Sequence, residues 1–275
     1  MKVAGKHVIP VKSLDAIWHL AVISDVHLGN RAASLGTFRA VVQEIARTKN
    51  CGVILLGDQI DAIGPGDKRF DADVLDPETL GINDLANLGE VLIDAFVEEV
   101  KPIRSKIFAA CMGNHEYQYM RRHAQSHLHP YMCRKLDCID LGYSGFIDLV
   151  FEDPQGKRST FRVRAHHGAG AAQTDGGKMM RLVKFVKQCE ADIILTGHTH
   201  DDSDKTIIRL AANRDCTKLA QIRQHGFICG TFKRTYAQDV LDYSEIRGYD
   251  PTSLGSLMLE IRPARRLVDK RWLRG

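Results

Sequence analysis

Two imidazoles stand two positions apart in His198-Thr199-His200, directly after the run Ile193-Ile-Leu-Thr-Gly197. Such a run reads as a strand end, where side chains i and i+2 share one side; the glycine equally allows a turn that presents the pair from a loop. Four blocks upstream share this construction: Asp25-x-His27, Gly57-Asp58-x-x-Asp61, Gly113-Asn114-His115-Glu116 and His166-His167-Gly168, each following an apolar run. Asp and Asn at strand ends are ordinary turn formers, so no single block argues for chemistry. Five in one chain do. Carboxylate, imidazole and amide oxygen suit Mn2+, Fe or Zn2+, and seven or more donors exceed the needs of one ion. Two ions sharing a carboxylate, ~3.5–4 Å apart, activate water as hydroxide and neutralise phosphoryl charge, which in-line attack at phosphorus requires.

The elements that must carry these blocks are legible in the apolar pattern. Trp18–Ser24, Gly52–Leu56 and Ile107–Met112 read as strands buried on both faces. Ser34–Thr48 reads as a helix capped by Ser34, with Leu35, Phe38, Val41, Val42 and Ile45 on one face. A second helix is expected from Asn83 or Asp84, with Pro102 just beyond its end. This is βαβαβ with chemistry-bearing residues at the carboxyl ends of strands, where open α/β sheets bind ligands. Residues 62–83 read as a long irregular insertion, and 117–145 as a second insertion with a helical cap over 117–138. Two strands, 146–151 and 159–165, flank the turn Asp153-Pro-Gln-Gly156, and a basic amphipathic helix spans about 177–189. Short strands over 206–210, 226–229 and 257–261 make the second half mostly antiparallel. The chain is expected to be one α/β domain over 1–275, with two sheets packed together and a solvated basic tail over 262–275. If 161–167 is a strand, His166 and His167 cannot both face the site.

Of 275 residues, 44% are hydrophobic and 26% charged, ordinary for a globular chain, and the net charge of +4 permits a nucleic-acid partner without requiring one. Met1 to Pro10 lacks the apolar core of a signal peptide, and no apolar run reaches the ~20 residues a membrane span needs. Seven cysteines are scattered without Cys-x-x-Cys spacing, so Cys51, Cys111 and Cys229 are expected to act as small buried hydrophobes. A cytoplasmic location with no membrane contact is expected, and an N/O-ligand metal site rather than a thiolate one.

The five blocks, in this order, resemble the calcineurin-like metallophosphoesterase superfamily over Asp25 to His200. The resemblance implies a four-layer α-β-β-α sandwich of two mixed sheets and a dinuclear centre, with Mn2+ first and Fe, Zn2+ or Ni2+ as alternatives. Carried over by motif position, Asp25, His27, Asp58 and His200 would hold one ion. Asp58, Asn114, His167 and His198 would hold the other, His167 being selected because the family ligand directly precedes Gly. His115 matches the histidine that protonates the leaving group, oriented by an acid such as Glu116. Asp61 matches an acid behind the ligands.

Departures from the family pattern bear on the substrate. The phosphoprotein phosphatases carry arginines where this chain has Ala62 and Met112, so a doubly charged monoester would lose two cationic partners. A phosphodiesterase acting on nucleotides or nucleic acid is the expectation; a phosphomonoesterase, and a non-catalytic scaffold of the same fold, are the alternatives. Arg121, Arg122, His123 and the helix bearing Lys178, Arg181, Lys184 and Lys187 could form a backbone-binding rim, although a solvated basic face is the simpler reading. The loop over 169–177 could approach a substrate or simply connect. The closing segment from Gly230 through Leu254-Gly resembles metallophosphoesterases encoded by phages and prophages.

Overall fold

Strands that are apolar on both faces must be sandwiched, and the apolar runs form such strands. The computed structural model describes residues 1–123, 127–170, 172–213 and 215–275; residues 124–126 of the expected cap and 171 of the expected loop lie outside these. The element order is β1 (Lys2–Pro10), β2 (Trp18–Ile23), α1 (Leu35–Arg47), β3 (Cys51–Leu56), α2 (Leu88–Glu99), β4 (Ile107–Cys111), α3 (Asn114–His123) and α4 (Leu128–Leu136). Then come β5 (Ile139–Gly142), β6 (Ser144–Glu152), β7 (Arg158–His166), α5 (Asp175–Lys187), β8 (Ile193–Thr196), β9 (Asp204–Ala212) and β10 (Leu219–Ile228). The one-turn α6 (Tyr243–Ile246), β11 (Ser256–Arg262) and β12 (Leu267–Leu273) complete the chain.

Two mixed six-stranded sheets result, one ordered β1-β6-β7-β8-β10-β9 and the other β12-β11-β2-β3-β4-β5. Alternation along a strand divides its side chains between two cores. In β2 and β3, Ala21, Ile23, Val53 and Leu55 pack under α1, α2 and α4, together with Phe38, Phe96 and Leu136. Their neighbours Leu20, Val22, Ile54 and Leu56 face the other sheet and meet Leu149, Phe151, Phe161 and Val163. On the far side of that sheet, Ile194 and Ile228 pack against Leu182 and Val186 of α5. The layers are therefore α-β-β-α.

Several local expectations change. Ile82–Asn87 is a 3-10 turn and α2 proper begins at Leu88, because Asn87 (φ −131°) breaks helical geometry. Strand β8 pairs parallel with both β7 and β10, so this sheet is not mostly antiparallel; α5 is the crossover that parallel pairing requires. The 117–145 region is not an added cap. Helix α4 packs on the outer core and β5 extends the second sheet parallel to β4. Residues 262–275 are not a solvated tail. Strand β12 runs antiparallel to β11, and its basic side chains find acids: Arg266 on Asp192 at 2.5 Å, Arg271 on Glu44 at 2.6 Å, Lys270 on Asp204, and Arg274 on Asp202. Among the described residues, no helix is long and apolar enough to cross a membrane.

Removal of 267–275 would uncover the edge of β11 and strip from the two cores the side chains of Leu273, which is 1% accessible, and half-buried Trp272. The truncated protein is expected to lose about 2–4 kcal/mol of unfolding free energy in urea. Unchanged stability would show that this segment behaves as a tail.

Candidate metal centre

Loops leaving the carboxyl ends of β2, β3, β4, β7 and β8 are fastened to one another by main-chain hydrogen bonds. The amides of Asp25, His27 and Leu28 donate to the carbonyls of Gly57, Asp58 and Gln59 at 3.0–3.1 Å, which continues the β2–β3 pairing past the strand ends. Gly197 donates to the His167 carbonyl at 2.8 Å, extending the β7–β8 pairing, and Phe232 donates to the Asp25 carbonyl at 3.0 Å, tying the two sheets together. The turns are tight enough to force left-handed backbone at Asp25 (φ 52°), His27 (52°), Asp58 (50°), His198 (70°) and His200 (48°). Left-handed backbone costs a non-glycine residue about 1–2 kcal/mol, and its concentration in five chemistry-bearing residues marks a site where geometry outweighs stability. The histidine pair is thus presented from a turn beyond β8, and not from an extended strand.

Within this knot, the side chains divide into two sets around Asp58. Asp25, His27 and His200 place ligand atoms within 4.8 Å of one another, as do Asp58, His167 and His198. His27 Nε2 lies 3.2 Å from His200 Nε2, 3.9 Å from Asp25 Oδ1 and 3.8 Å from Asp58 Oδ2. His200 Nε2 is 3.3 Å from Asp25 Oδ1. On the other side, His167 Nε2 is 3.1 Å from Asn114 Oδ1 and 3.4 Å from Asp58 Oδ2. Asp25, His27, Asp58 and His167 are at most 1% exposed.

The ring tautomers test whether cations fit. His167 Nδ1 lies 2.9 Å from the Leu56 carbonyl, which only accepts, so Nδ1 carries the proton. In the neutral ring Nε2 is then a bare lone pair facing two oxygen acceptors. The ring of His27 has the same arrangement, with Nδ1 at 3.5 Å from Asp61 and Nε2 turned inward. Converging lone pairs of carboxylate, amide and imidazole need positive charge between them, and their chemistry is that of a divalent-metal site. Without a metal the demand falls on protons: burial opposes charge on His167, but the Asp58 carboxylate pushes its pKa up to about 10. Burial likewise opposes ionisation of Asp25, yet its bond to His200 brings it down to about 2. His27, buried and beside His115, falls to about 4.

Around the ligand atoms, other groups fix orientation. The Asp25 carboxylate accepts from the His198 amide at 3.0 Å and from the Ser24 hydroxyl. Two motif glycines are required by this crowding: a Cβ on Gly197 would lie 2.6 Å from the Asp25 carboxylate, and one on Gly113 would lie 2.1 Å from the Asp58 nitrogen.

The expected link from Glu116 to His115 is not formed. The Glu116 carboxylate instead accepts the backbone N–H groups of Asp58 (3.2 Å), Gln59 (2.8 Å), Ile60 (3.3 Å) and Gly113 (3.0 Å), so it shapes the loop that delivers Asp58. Burial and the Asp58 charge push its pKa up to about 7, against those four donors, which favour the ionised form. The acid against His115 Nδ1 is Asp61, itself held by Asn30 Nδ2 at 2.5 Å. His166 turns away, packing on Phe185 and accepting from the Gly168 amide at 2.8 Å, which leaves His167 at the site.

Above these residues opens a cavity of about 640 Å³, walled by Arg69, Phe70, Lys178, Lys233, Tyr243 and Tyr249. Arg69 and Phe70 come from the 62–83 segment, which therefore covers the site. Ser24, Asn30, Lys233 and Asp242 escaped sequence reasoning. Only Lys233, a lysine beside the apolar run ending at Phe232, left any signal. Of the expected basic rim, Arg122 is committed to Asp67, Arg121 sits over the Tyr117 ring and Arg181 bonds the Ala169 carbonyl.

Comparison with known proteins adds a family. The family described as calcineurin-like phosphoesterase matches residues 19–202. No curated protein matches the chain. Among solved structures, a conserved uncharacterized protein (predicted phosphoesterase) of Streptococcus pneumoniae TIGR4 aligns at 12% identity and TM-score 0.35, over 94% of this chain and 98% of that one. The NAD nucleotidase of Haemophilus influenzae aligns at 11% and 0.42, over 94% of this chain and 49% of that one. An anchor in the inner membrane complex of Plasmodium aligns at 12% and 0.45, over 93% and 84%. Scores and identities this low assign no chemistry; the family match does the assigning.

Glu116→Gln would turn an amide NH2 toward two of the four N–H groups that the carboxylate now accepts, since each oxygen takes two of them. A loss of about 1–3 kcal/mol in unfolding free energy is expected, whereas Glu116→Asp should lose less. Equal stability for Glu116→Gln and the unmutated protein would remove Glu116 from its role in shaping the loop.

Proposed function

Because the chain belongs to the calcineurin-like phosphoesterase family, we propose that it hydrolyses phosphodiesters of nucleotides or nucleic acid at a centre of two divalent ions. Asp25, His27, Asp58 and His200 would hold one ion, and Asp58, Asn114, His167 and His198 the other. Ions held there would supply Lewis acidity toward phosphoryl oxygens and lower the pKa of water. Mn2+ is the ion we favour.

The observation that carries the diester reading is the state of the buried cations lining the cavity. Lys233, 7% exposed, pairs with Asp242 at 3.0 Å, and Arg69 pairs with Asp67 at 2.9 Å. Both charges are already neutralised by carboxylates. A phosphate with two negative charges would have to compete with those acids, while a diester, with one charge, needs less compensation. Of the described cavity cations, exposed Lys68 and half-buried Lys178 have no acid partner, so no fully buried cation is left free to replace the positions missing at Ala62 and Met112.

His115 supports the departure of the leaving group. Burial disfavours its charge, but Asp58 and Asp61 raise its pKa above the ordinary imidazole value, which favours the doubly protonated ring. The Asp61 carboxylate lies against Nδ1 as an ion pair, which leaves Nε2, 3.9 Å from Asp58 Oδ2, to donate its proton to the oxygen that departs. The aromatic wall at Tyr243 and Tyr249 suits a planar base on one ester arm. Seven unpaired cysteines suit a reducing compartment, and we place the protein in the cytoplasm.

Chelation is expected to abolish hydrolysis of an aryl phosphodiester and Mn2+ to restore it, with diester turnover exceeding that of the matching monoester. Faster monoester turnover would reject the substrate class and leave the metal centre standing. His115→Ala should retain its metal content and lose about 10²–10⁴-fold in kcat; falling metal content would make His115 a ligand. His198→Ala and His200→Ala should each weaken a different ion. Identical metal-binding isotherms for the two variants would contradict the division of ligands.

A further inference from the structure

Away from the five loops, a second group of metal-ligating side chains is gathered where α4 gives way to β5. His129 and Cys133 lie one helical turn apart on α4, and both are buried, 2% and 4% exposed. The helix ends at Asp137 in left-handed conformation (φ 55°), which turns the chain sharply and brings Cys138 back beside the Cys133 thiol. Two residues on, Asp140 of β5 points its carboxylate at the same place. His129 Nε2 is 3.1 Å from Asp140 Oδ1 and 3.6 Å from Cys133 Sγ, and the three atoms lie within 4.8 Å of one another.

The choice of ring nitrogen is informative. In a nucleophile–base–acid relay the thiol and the acid take opposite nitrogens of the imidazole. Here both approach Nε2, which has one hydrogen or one lone pair and cannot serve two partners. Nδ1 is buried and has no hydrogen-bond partner among the described residues. An imidazolium paired with Asp140 would therefore leave a charged N–H orphaned in an apolar surrounding, which costs more than a neutral one. A cation between the three atoms removes the conflict: the neutral ring gives its Nε2 lone pair, Cys133 its thiolate and Asp140 an oxygen. Bond lengths of ~2.0 Å to N and O and ~2.3 Å to S place tetrahedral neighbours ~3.3 and ~3.6 Å apart. The observed 3.1 and 3.6 Å are close to that spacing.

We propose that His129, Cys133 and Asp140, with the Cys138 thiol adjoining Cys133, form a separate structural site for one thiophilic divalent ion of the Zn2+ class. Its ligands fall in twelve residues, with the pattern His-x3-Cys-x4-Cys-x-Asp. The ion would clamp the end of α4 to β5, the edge strand of its sheet. Lys2 of β1 reaches the other oxygen, Asp140 Oδ2, at 2.6 Å and extends the clamp to the opposite sheet, while Oδ1 accepts the Gly142 amide at 2.7 Å and keeps its second lone pair for the ion. Thiolate donors separate this site from the candidate metal centre, whose donors are nitrogen and oxygen alone, so the proposal stands independently of the diesterase reading.

The unmutated protein provides the first test. Titrated with Co2+ under reducing conditions, it should develop a thiolate-to-metal charge-transfer band in the near ultraviolet, because N/O ligands give none. Asp58→Asn, which weakens the candidate centre, should keep the band; Cys133→Ser should lose it and hold one metal ion fewer per chain by elemental analysis after Zn2+ loading. Asp140→Asn, at a partly exposed position, offers a milder variant in which Zn2+ affinity should fall at least tenfold. Absence of the band in the unmutated protein, or the same Zn2+ content with and without the Cys133 thiol, would overturn the proposal.

Discussion

Three carboxylates buried at one point, those of Asp25, Asp58 and Asp61, set the terms for the rest of the molecule. Burial works against ionisation of each, and the structure answers with imidazoles instead of lysines or arginines. At His27 and His167 a hydrogen bond made at Nδ1, to Asp61 or to the Leu56 carbonyl, leaves the inward Nε2 of the neutral ring a bare lone pair. The arrangement is stable only with positive charge at the centre, so the apolar sandwich around it holds a polar kernel that cations must complete. The tightness of the turns and the required glycines at 113 and 197 both follow from bringing those oxygens and nitrogens to one point.

This explains why strain and chemistry coincide. Asp25, His27, Asp58, His198 and His200 all sit in left-handed backbone, although each follows a strand where extended geometry would have been free of cost. Left-handed residues reverse the chain within a step or two, so a strand can deliver a side chain inward and then withdraw. Glu116 acts on the same problem from α3: one buried carboxylate gathers three N–H groups that the reversal after β3 leaves without partners, and a fourth, that of Gly113, beyond β4.

Strands buried on both faces, and the blocks at their ends, were legible in the sequence because burial and turn chemistry leave local marks. The two packed sheets followed from these, while the grouping of Asp25, His27, Asp58, Asn114, His167, His198 and His200 followed from the family resemblance that the blocks carry. What escaped depends on contacts between distant segments. Nothing in Lys2–Pro10, mostly exposed along an edge, separates a strand from a polar terminus. The basic run 262–275 resembled a tail because its acids, Glu44, Asp192, Asp202 and Asp204, lie far away in the chain. The pairing of His115 with Asp61, and not its neighbour Glu116, reflects helix geometry, which turns adjacent side chains about 100° apart. The cluster at 129–140 lacks the short cysteine spacing that marks thiolate sites, since its ligands come from a helix, a left-handed turn and a strand.

The interleaving of the two sheets bears on how the chain is made. Strand β1 belongs to one sheet and waits for β6, while β2 belongs to the other and is flanked by β11, more than two hundred residues later. Neither sheet can close around a partial chain, and no contiguous half carries a finished core. During synthesis, then, Asp25 leaves the ribosome long before the Phe232 amide that holds its carbonyl. Pairings this remote in sequence slow folding. A nascent chain would expose the apolar faces of β2 and β3 until β11 arrives, and it would acquire a settled metal-binding geometry only after Phe232 has emerged.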